Sequence, residues 1–338
     1  MAATGPVNSE MQLRLKILLR DFAATPKMIL DFMDQNFKDL DFTVSDDKNG
    51  RSGFSALFDL LPHEPSRASA LLTRLIDNPN IQWNLPFNEI PESPFVMLAY
   101  LCRRLNKPVL DQLLHDVIQA TGAKLKFDVS NTFDTNAWFI LIMIGFERKD
   151  FKILQLALNT VPLDKINFSI LPQPGGTSIL HILLFLLPIE DIALIIRPQL
   201  KNLPLDEKMW NHHDINGGTA LFALMVMIDK LNMQEGWELL EKMVLIHDLK
   251  LDWHRVAIQD DIAQTPMSIL KKHVQNKLPQ AIALNECIEK QEAKKRAIAL
   301  GLELEVPPFI PGFNAHARAA QAASVPSSRT SLWSRFFG

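Results

Sequence analysis

Segments with helical periodicity alternate with polar loops along most of the chain. Apolar residues recur at three- and four-residue spacing, which predicts helices with one buried face. The clearest of these segments are residues 66–78, 107–121, 148–160 and 233–248. Residues 137–146 and 179–189 are apolar all round, and they predict short helices that lie between neighbours in a core. The pattern therefore predicts an all-α chain of many short helices.

A small polar residue recurs where the shorter apolar runs begin. The six positions are Ser55, Ser93, Asn136, Ser178, Thr219 and Thr265. The steps between them are 38 to 46 residues. Ser, Thr and Asn accept hydrogen bonds from the free N–H groups of a first helical turn, so each residue is interpreted as a helix N-cap.

An aromatic residue recurs 9 to 13 residues before each of these caps. The six aromatic residues are Phe42, Trp83, Phe127, Phe168, Trp210 and Trp253, at steps of 41 to 44 residues. Because the cap residue and the aromatic residue recur together with a similar period, we expect one structural unit repeated six times. Each unit is predicted to consist of a helix, a turn, a second helix and an extended loop. A single unit cannot bury its apolar faces, whereas stacked units can. A residue present in every copy is interpreted as core between units.

These units resemble ankyrin repeats, whose first helix begins Gly-x-Thr-Pro-Leu-His-x-Ala. The similar positions are Gly217, Thr219 and Leu221 in GGTALFAL, Gly176, Ser178, Leu180 and His181 in GTSILHIL, and Thr265 and Pro266 in AQTPMSIL. The resemblance implies an ankyrin-like solenoid of about six elongated helix-turn-helix repeats with extended, hairpin-like loops. It also implies that His181 bridges neighbouring loops.

The period departs from that of the family. Ankyrin repeats are about 33 residues long, whereas HEAT and armadillo repeats are about 40 to 47. The glycine that normally ends the second helix is missing from most copies. An α-solenoid of HEAT or armadillo type therefore stays open as the alternative fold.

The two ends of the chain differ from its centre. Residues 1–41 are predicted to form a helical capping unit, and 42–285 to form the repeats. We expect residues 286–304 to be a C-terminal capping helix, because their charged face suits contact with water. Residues 305–338 are rich in Pro, Ala and Ser and are predicted to be a disordered tail. Its last part, SLWSRFFG, is either a loose or docking tail or a recognition or export signal.

Composition excludes several functional classes. The net charge of −3 argues against a general nucleic-acid binder, and the apolar runs reach only half the length of a membrane span. The two cysteines, Cys102 and Cys287, lie in helical patterns, which favours a reducing compartment. We expect a cytoplasmic protein; divergent eukaryotic-type repeats and a Ser-rich tail also resemble a bacterial effector delivered into the cytosol of a host cell.

Candidate chemistry is sparse. The sequence has no phosphate-binding loop, dinucleotide fingerprint or metalloprotease or hydrolase motif, and it gives no indication of a cofactor or metal. A cryptic enzyme could use Cys102 with a histidine brought close by the fold, or the loop residues His212, His213 and Asp214. The favoured hypothesis is a non-catalytic, monomeric scaffold that binds a protein partner.

Binding residues are expected where the copies vary, at the loop tips and on the exposed side of the first helices. The predicted partner-binding residues are Phe87, Asn88, Glu89, Phe133, Gln173, His212, His213 and Asp214.

Overall fold

The computed structural model describes most of the chain between residues 8 and 299. The described residues are 8–21, 23–45, 51–85, 93–128, 136–161, 165–166, 168, 177–214, 216–247, 249–259 and 262–299. The predicted tail, residues 305–338, lies outside them.

Fifteen α-helices and one β-hairpin account for most of the described residues, and the all-α prediction is confirmed. The first helices of the six units are α3 (Gly53–Leu60), α5 (Pro94–Leu105), α7 (Ala137–Arg148), α9 (Ile179–Phe185), α12 (Ala220–Leu231) and α14 (Pro266–Gln275). The second helices are α4 (Pro65–Leu75), α6 (Pro108–Thr121), α8 (Lys152–Thr160), α10 (Glu190–Ile196), α13 (Gln234–Glu241) and α15 (Pro279–Ala299). The remaining helices are α1 (Ser9–Arg20), α2 (Pro26–Gln35) and α11 (Glu207–Asn211).

Helices of equivalent position contact one another in chain order. Among the first helices, α3 contacts α5, α5 contacts α7, α9 contacts α12, and α12 contacts α14. Among the second helices, α4 contacts α6, α6 contacts α8, α8 contacts α10, and α13 contacts α15. A 3-10 helix, Arg197–Asn202, connects with both α10 and α13. The buried apolar side chains of these helices form one continuous core.

Five of the six predicted N-caps accept a hydrogen bond from the first turn of their helix. The first prediction, Ser55, was wrong by three residues. Ser52 is the N-cap of α3, and the Ser55 Oγ accepts a hydrogen bond from the Ser52 backbone N–H at 2.9 Å, forming a capping box. With Ser52 in place of Ser55, the first step becomes 41 residues, in line with the others.

All six aromatic residues are buried, with at most 4% of any of them exposed. In four copies the carbonyl of the aromatic residue accepts from the backbone N–H two positions after the cap. The donors are Phe54, Phe95, Trp138 and Met267. The two marks are therefore joined within each of these units, and the interpretation of the aromatic residues as core is confirmed.

The fifth unit departs from the pattern at its aromatic residue. Trp210 lies within α11, where the sequence predicted an extended segment. The Asp206 carboxylate accepts from the Lys208 N–H at 2.9 Å and begins this helix. Lys208 also replaces the apolar residue that lies two positions before the aromatic residue in the other five copies.

Short antiparallel pairs lie between aromatic residue and cap in three units. The sixth unit has a hairpin of β1 (Ala257–Gln259) and β2 (Ile262–Gln264), with Ile258 opposite Ala263. Single bridges join Ser45 to Ser52 and His213 to Thr219. Each pair thus lies directly before the first helix of its unit.

Candidate functional site

The loop between His212 and Thr219 is folded around Asp214. The Asp214 carboxylate accepts from the N–H groups of Asn216 and Gly218, both at 2.9 Å. Its backbone N–H donates to the Gly218 carbonyl at 2.9 Å, and its carbonyl accepts from Gly217 at 3.0 Å. Gly217 has a φ of +78°, which glycine adopts without steric cost. This loop is the GGT segment that carries the ankyrin resemblance.

The three predicted binding residues in this loop differ in exposure. His213 is exposed and His212 is half-buried, so both offer surface to a partner. Asp214 is only 5% exposed. Burial raises the pKa of its carboxyl group, while the N–H groups of Gly218 and Asn216 lower it. Asp214 therefore organises the loop instead of presenting its carboxylate to a partner.

His181 joins this loop to the preceding unit. Its Nε2 lies 3.1 Å from the Gly218 carbonyl oxygen and its Nδ1 lies 2.6 Å from the Ser178 Oγ. Because a carbonyl only accepts, Nε2 carries the proton and Nδ1 accepts from the Ser178 hydroxyl. Burial lowers the pKa of His181 to about 4. The neutral imidazole therefore has the bridging role that the family resemblance implied.

The neighbouring histidines do not form a metal site. The ring centroids of His181 and His212 lie 6.2 Å apart, as do those of His212 and His213. Within the described ranges, no group of three or more His, Cys, Asp or Glu side chains could hold a metal ion.

Cys102 is poorly placed to act as a nucleophile. The residue is fully buried, and its Sγ donates to the Leu110 carbonyl at 3.2 Å. Burial, reinforced by the Asp111 carboxylate, raises the pKa of the thiol well above its ordinary value. Arg148 bonds the Cys102 carbonyl and pairs with Asp111 at 2.6 Å. The thiolate required for nucleophilic attack is therefore disfavoured.

Five of the predicted tip residues fall outside the described residues. They are Phe87, Asn88, Glu89, Phe133 and Gln173. Other loop residues expose large apolar side chains that the sequence analysis did not select. These are Val44, Leu85, Val256, Ile258 and Ile262, with exposed fractions of 36% to 63%. Their positions two to nine residues after an aromatic core residue were the available signal.

Asparagine side chains tie neighbouring loops together at their bases. The Asn84 amide, next to Trp83, donates to the Lys124 carbonyl and accepts from the Lys126 N–H, both at 2.7 Å. Asn211, next to Trp210, makes the same pair of bonds to Lys250 and Asp252 at 2.9 and 2.7 Å. In both cases the partners lie three and one residues before the next aromatic residue. The spacing of successive loops is thereby set by side chains.

No family model matches the chain, and no curated protein shows significant similarity to it. In the part of the chain that the structure describes, every helix is too short or too polar to cross a membrane.

Proposed function

We propose that the chain is a stack of six ankyrin-like units that serves as a non-catalytic scaffold. A protein partner binds to the loop tips and to the exposed side of the first helices. Stacking of units along one direction creates an extended surface, and binding surfaces of repeat proteins have this form.

The observation that carries this proposal is the distribution of apolar side chains on the loops. The aromatic residue of each loop is buried, yet Leu85 and Ile258 in the same loops are 53% and 63% exposed. Val44 in the first loop is also exposed. Contiguous exposed apolar patches are typical of interaction surfaces, and the exposed side chains named here lie on the loops that the proposal assigns to the partner.

Two local features favour ankyrin-like units over HEAT or armadillo units. Ankyrin repeats combine a turn or hairpin with two helices, whereas HEAT repeats consist of helices alone. The β1–β2 hairpin and the His213–Thr219 bridge have the ankyrin character. The His181 bond to the Gly218 carbonyl adds the loop bridge of that family.

The test compares two double variants of the full chain in affinity capture from cell lysate. The loop variant combines Leu85→Ser with Ile258→Ser. The control variant combines Leu194→Ser with Ile246→Ser, which lie in or just after second helices. Their side chains are 70% and 73% exposed, at least as much as those of the loop variant. Because burial of a Leu or Ile side chain contributes about 1.5 kcal/mol or more, we expect the loop variant to lose captured partners about tenfold.

The control variant should capture the same partners as the wild type. Equal capture by the loop variant and the wild type would refute binding through the tips. A loss confined to the control variant would move the binding surface to the second helices.

A further inference from the structure

A cleft lies where the fourth and fifth units meet, between α10 and the start of α13. Its volume is about 430 Å³, which is in the range of sites for small molecules. α10 ends at Ile196, two residues before Pro198, which lacks the N–H that a longer α-helix would use. The chain continues as the 3-10 helix, which contacts α13. The described lining residues all lie outside the loops between aromatic residue and cap, so the cleft is separate from the proposed scaffold surface.

Much of the wall of this cleft is apolar. Leu187 and Ala193 are buried, Leu231 is half-buried, and the side chain of Leu194 is 70% exposed. A ligand that covered Leu194 and Leu231 would remove apolar surface from water, which is favourable in proportion to the area covered. The wall therefore favours a ligand with apolar groups.

Three charged side chains line the same cleft, and they are those of Arg197, Glu190 and Glu235. Both glutamates lie in the first turn of their helices, where the helix dipole favours an ionised carboxylate. The Nε atom of Arg197 is buried and has no hydrogen-bond partner among the described residues. The cleft thus combines a cationic group with two carboxylates, which favours a ligand that carries both signs of charge.

The charges are placed at two ends of one helix face. Arg197 follows Glu190 by seven residues, and positions three, four and seven residues apart lie on the same face of a helix. At 1.5 Å per residue the two backbone positions are about 10 Å apart, with Ala193 and Leu194 between them. An extended dipeptide spans about 7 Å, and a hydrogen bond at each end adds about 3 Å. A single amino acid, about half as long, matches this separation less closely.

We propose that this cleft binds a dipeptide with free termini and apolar side chains. The ammonium group of the ligand pairs with Glu190 and Glu235, and its carboxylate accepts from the Arg197 guanidinium, the side chain best suited to planar recognition of a carboxylate. The apolar side chains of the ligand cover Leu194 and Leu231. This ligand site is an addition to the proposed scaffold function and does not rest on it.

An NMR titration of the leucine methyl groups in the full chain tests the site. Leucyl-leucine is the first probe, and it should shift the methyl signals of Leu194 and Leu231 until they saturate. Leucyl-leucine amide lacks the carboxylate, and N-acetyl-leucyl-leucine lacks the ammonium group. Each should bind about tenfold more weakly or worse, because a hydrogen bond to a charged group is lost.

Substitutions in the cleft should remove these preferences one at a time. Arg197→Met should bind leucyl-leucine and its amide equally, yet still prefer a free ammonium group. Glu235→Gln should reduce the preference for the ammonium group and keep the preference for the carboxylate. The matched controls are Lys201→Met and Glu238→Gln, which change exposed residues of the same two helices. Both controls should bind all three probes as the wild type does.

Leucyl-leucine that causes no saturable shift at Leu194 and Leu231 would overturn the proposal. Equal binding of the three probes by the wild type would also overturn it, because the charges would then have no role. Free leucine bound as tightly as leucyl-leucine would contradict the match in length and count equally against it. Unchanged urea unfolding of the four variants would show that each retains the fold.

Discussion

At the scale of single residues, Gly217 and His181 explain why the GGT loop has its conformation. Gly217 supplies a positive φ, and His181 holds the Gly218 carbonyl from the preceding unit. The sequence predicted a loop here, and the resemblance to ankyrin repeats implied the bridge by His181. Burial of Asp214 was missed, because an aspartate in a turn sequence looks the same whether its carboxylate faces water or the backbone of its own loop.

Gly217→Ala should destabilise the chain by about 2 kcal/mol or more, because alanine is strained at positive φ. A Cβ there would also lie 2.5 Å from the Val256 carbonyl oxygen of the next loop. The measurement is urea unfolding at constant m-value.

Gly218→Ala is the matched control for this change. Its Cβ would lie 3.3 Å from the Asp214 carboxylate, and its φ is not in the left-handed region. We expect a clearly smaller loss, and equal losses at the two glycines would contradict the backbone argument.

The buried His181 should make stability depend on pH. Its pKa is about 4 in the folded chain against 6.5 in the unfolded chain, so the unfolded chain binds the proton more readily between these values. The stabilisation is complete above pH 6.5 and is lost as the pH falls toward 4, by about 3 kcal/mol in all.

His181→Gln removes this titration and serves as the comparison. The difference in free energy of unfolding between wild type and variant should shrink as the pH falls from 6.5 to 4. Urea unfolding over a pH series measures it, and parallel curves for the two proteins would show that His181 does not titrate in this range.

At the scale of elements, helix starts were more predictable than helix ends. The caps at Ser93, Asn136 and Thr265 follow from side-chain chemistry that is local in sequence. In the first unit, Ser52 and Ser55 share one capping box, and the sequence alone did not show which serine caps. Four residues with positive φ end or follow first helices: Asn106, Lys149, Asn232 and Lys277. These ends were missed because none of them is a glycine.

Lys149→Gly should stabilise the chain by about 1 kcal/mol. Lys149 is exposed and has a φ of +55°, where glycine carries no Cβ penalty. Lys271→Gly, at an exposed position inside α14, should instead destabilise by about 1 kcal/mol. Thermal unfolding of both variants checks the signs, and a loss of stability on Lys149→Gly would contradict the prediction.

At the scale of the whole molecule, the repeat period was readable because each unit must bury the same aromatic residue. Phe42, Trp83 and Trp253 are all buried, so their regular spacing in the sequence was a guide to the core. The candidate binding surface was less predictable. Leu85 and Ile258 are exposed through the geometry of their loops, and their places two and five residues after a buried aromatic residue were the signal available in the sequence.

The side-chain amides of Asn84 and Asn211 hold neighbouring loops together near their aromatic residues. Each bridge joins the residue after one aromatic residue to the residues just before the next aromatic residue. The Trp83 carbonyl also accepts from the first turn of its own helix. Neither set of bonds involves the residues between base and cap. Where a loop residue also contacts the neighbouring loop or helix, as Gly218 does with His181 and Asn216 with Ile258, a substitution should disturb both partners. Elsewhere the residues between the aromatic residue and the cap can change in length and chemistry without loss of these bonds.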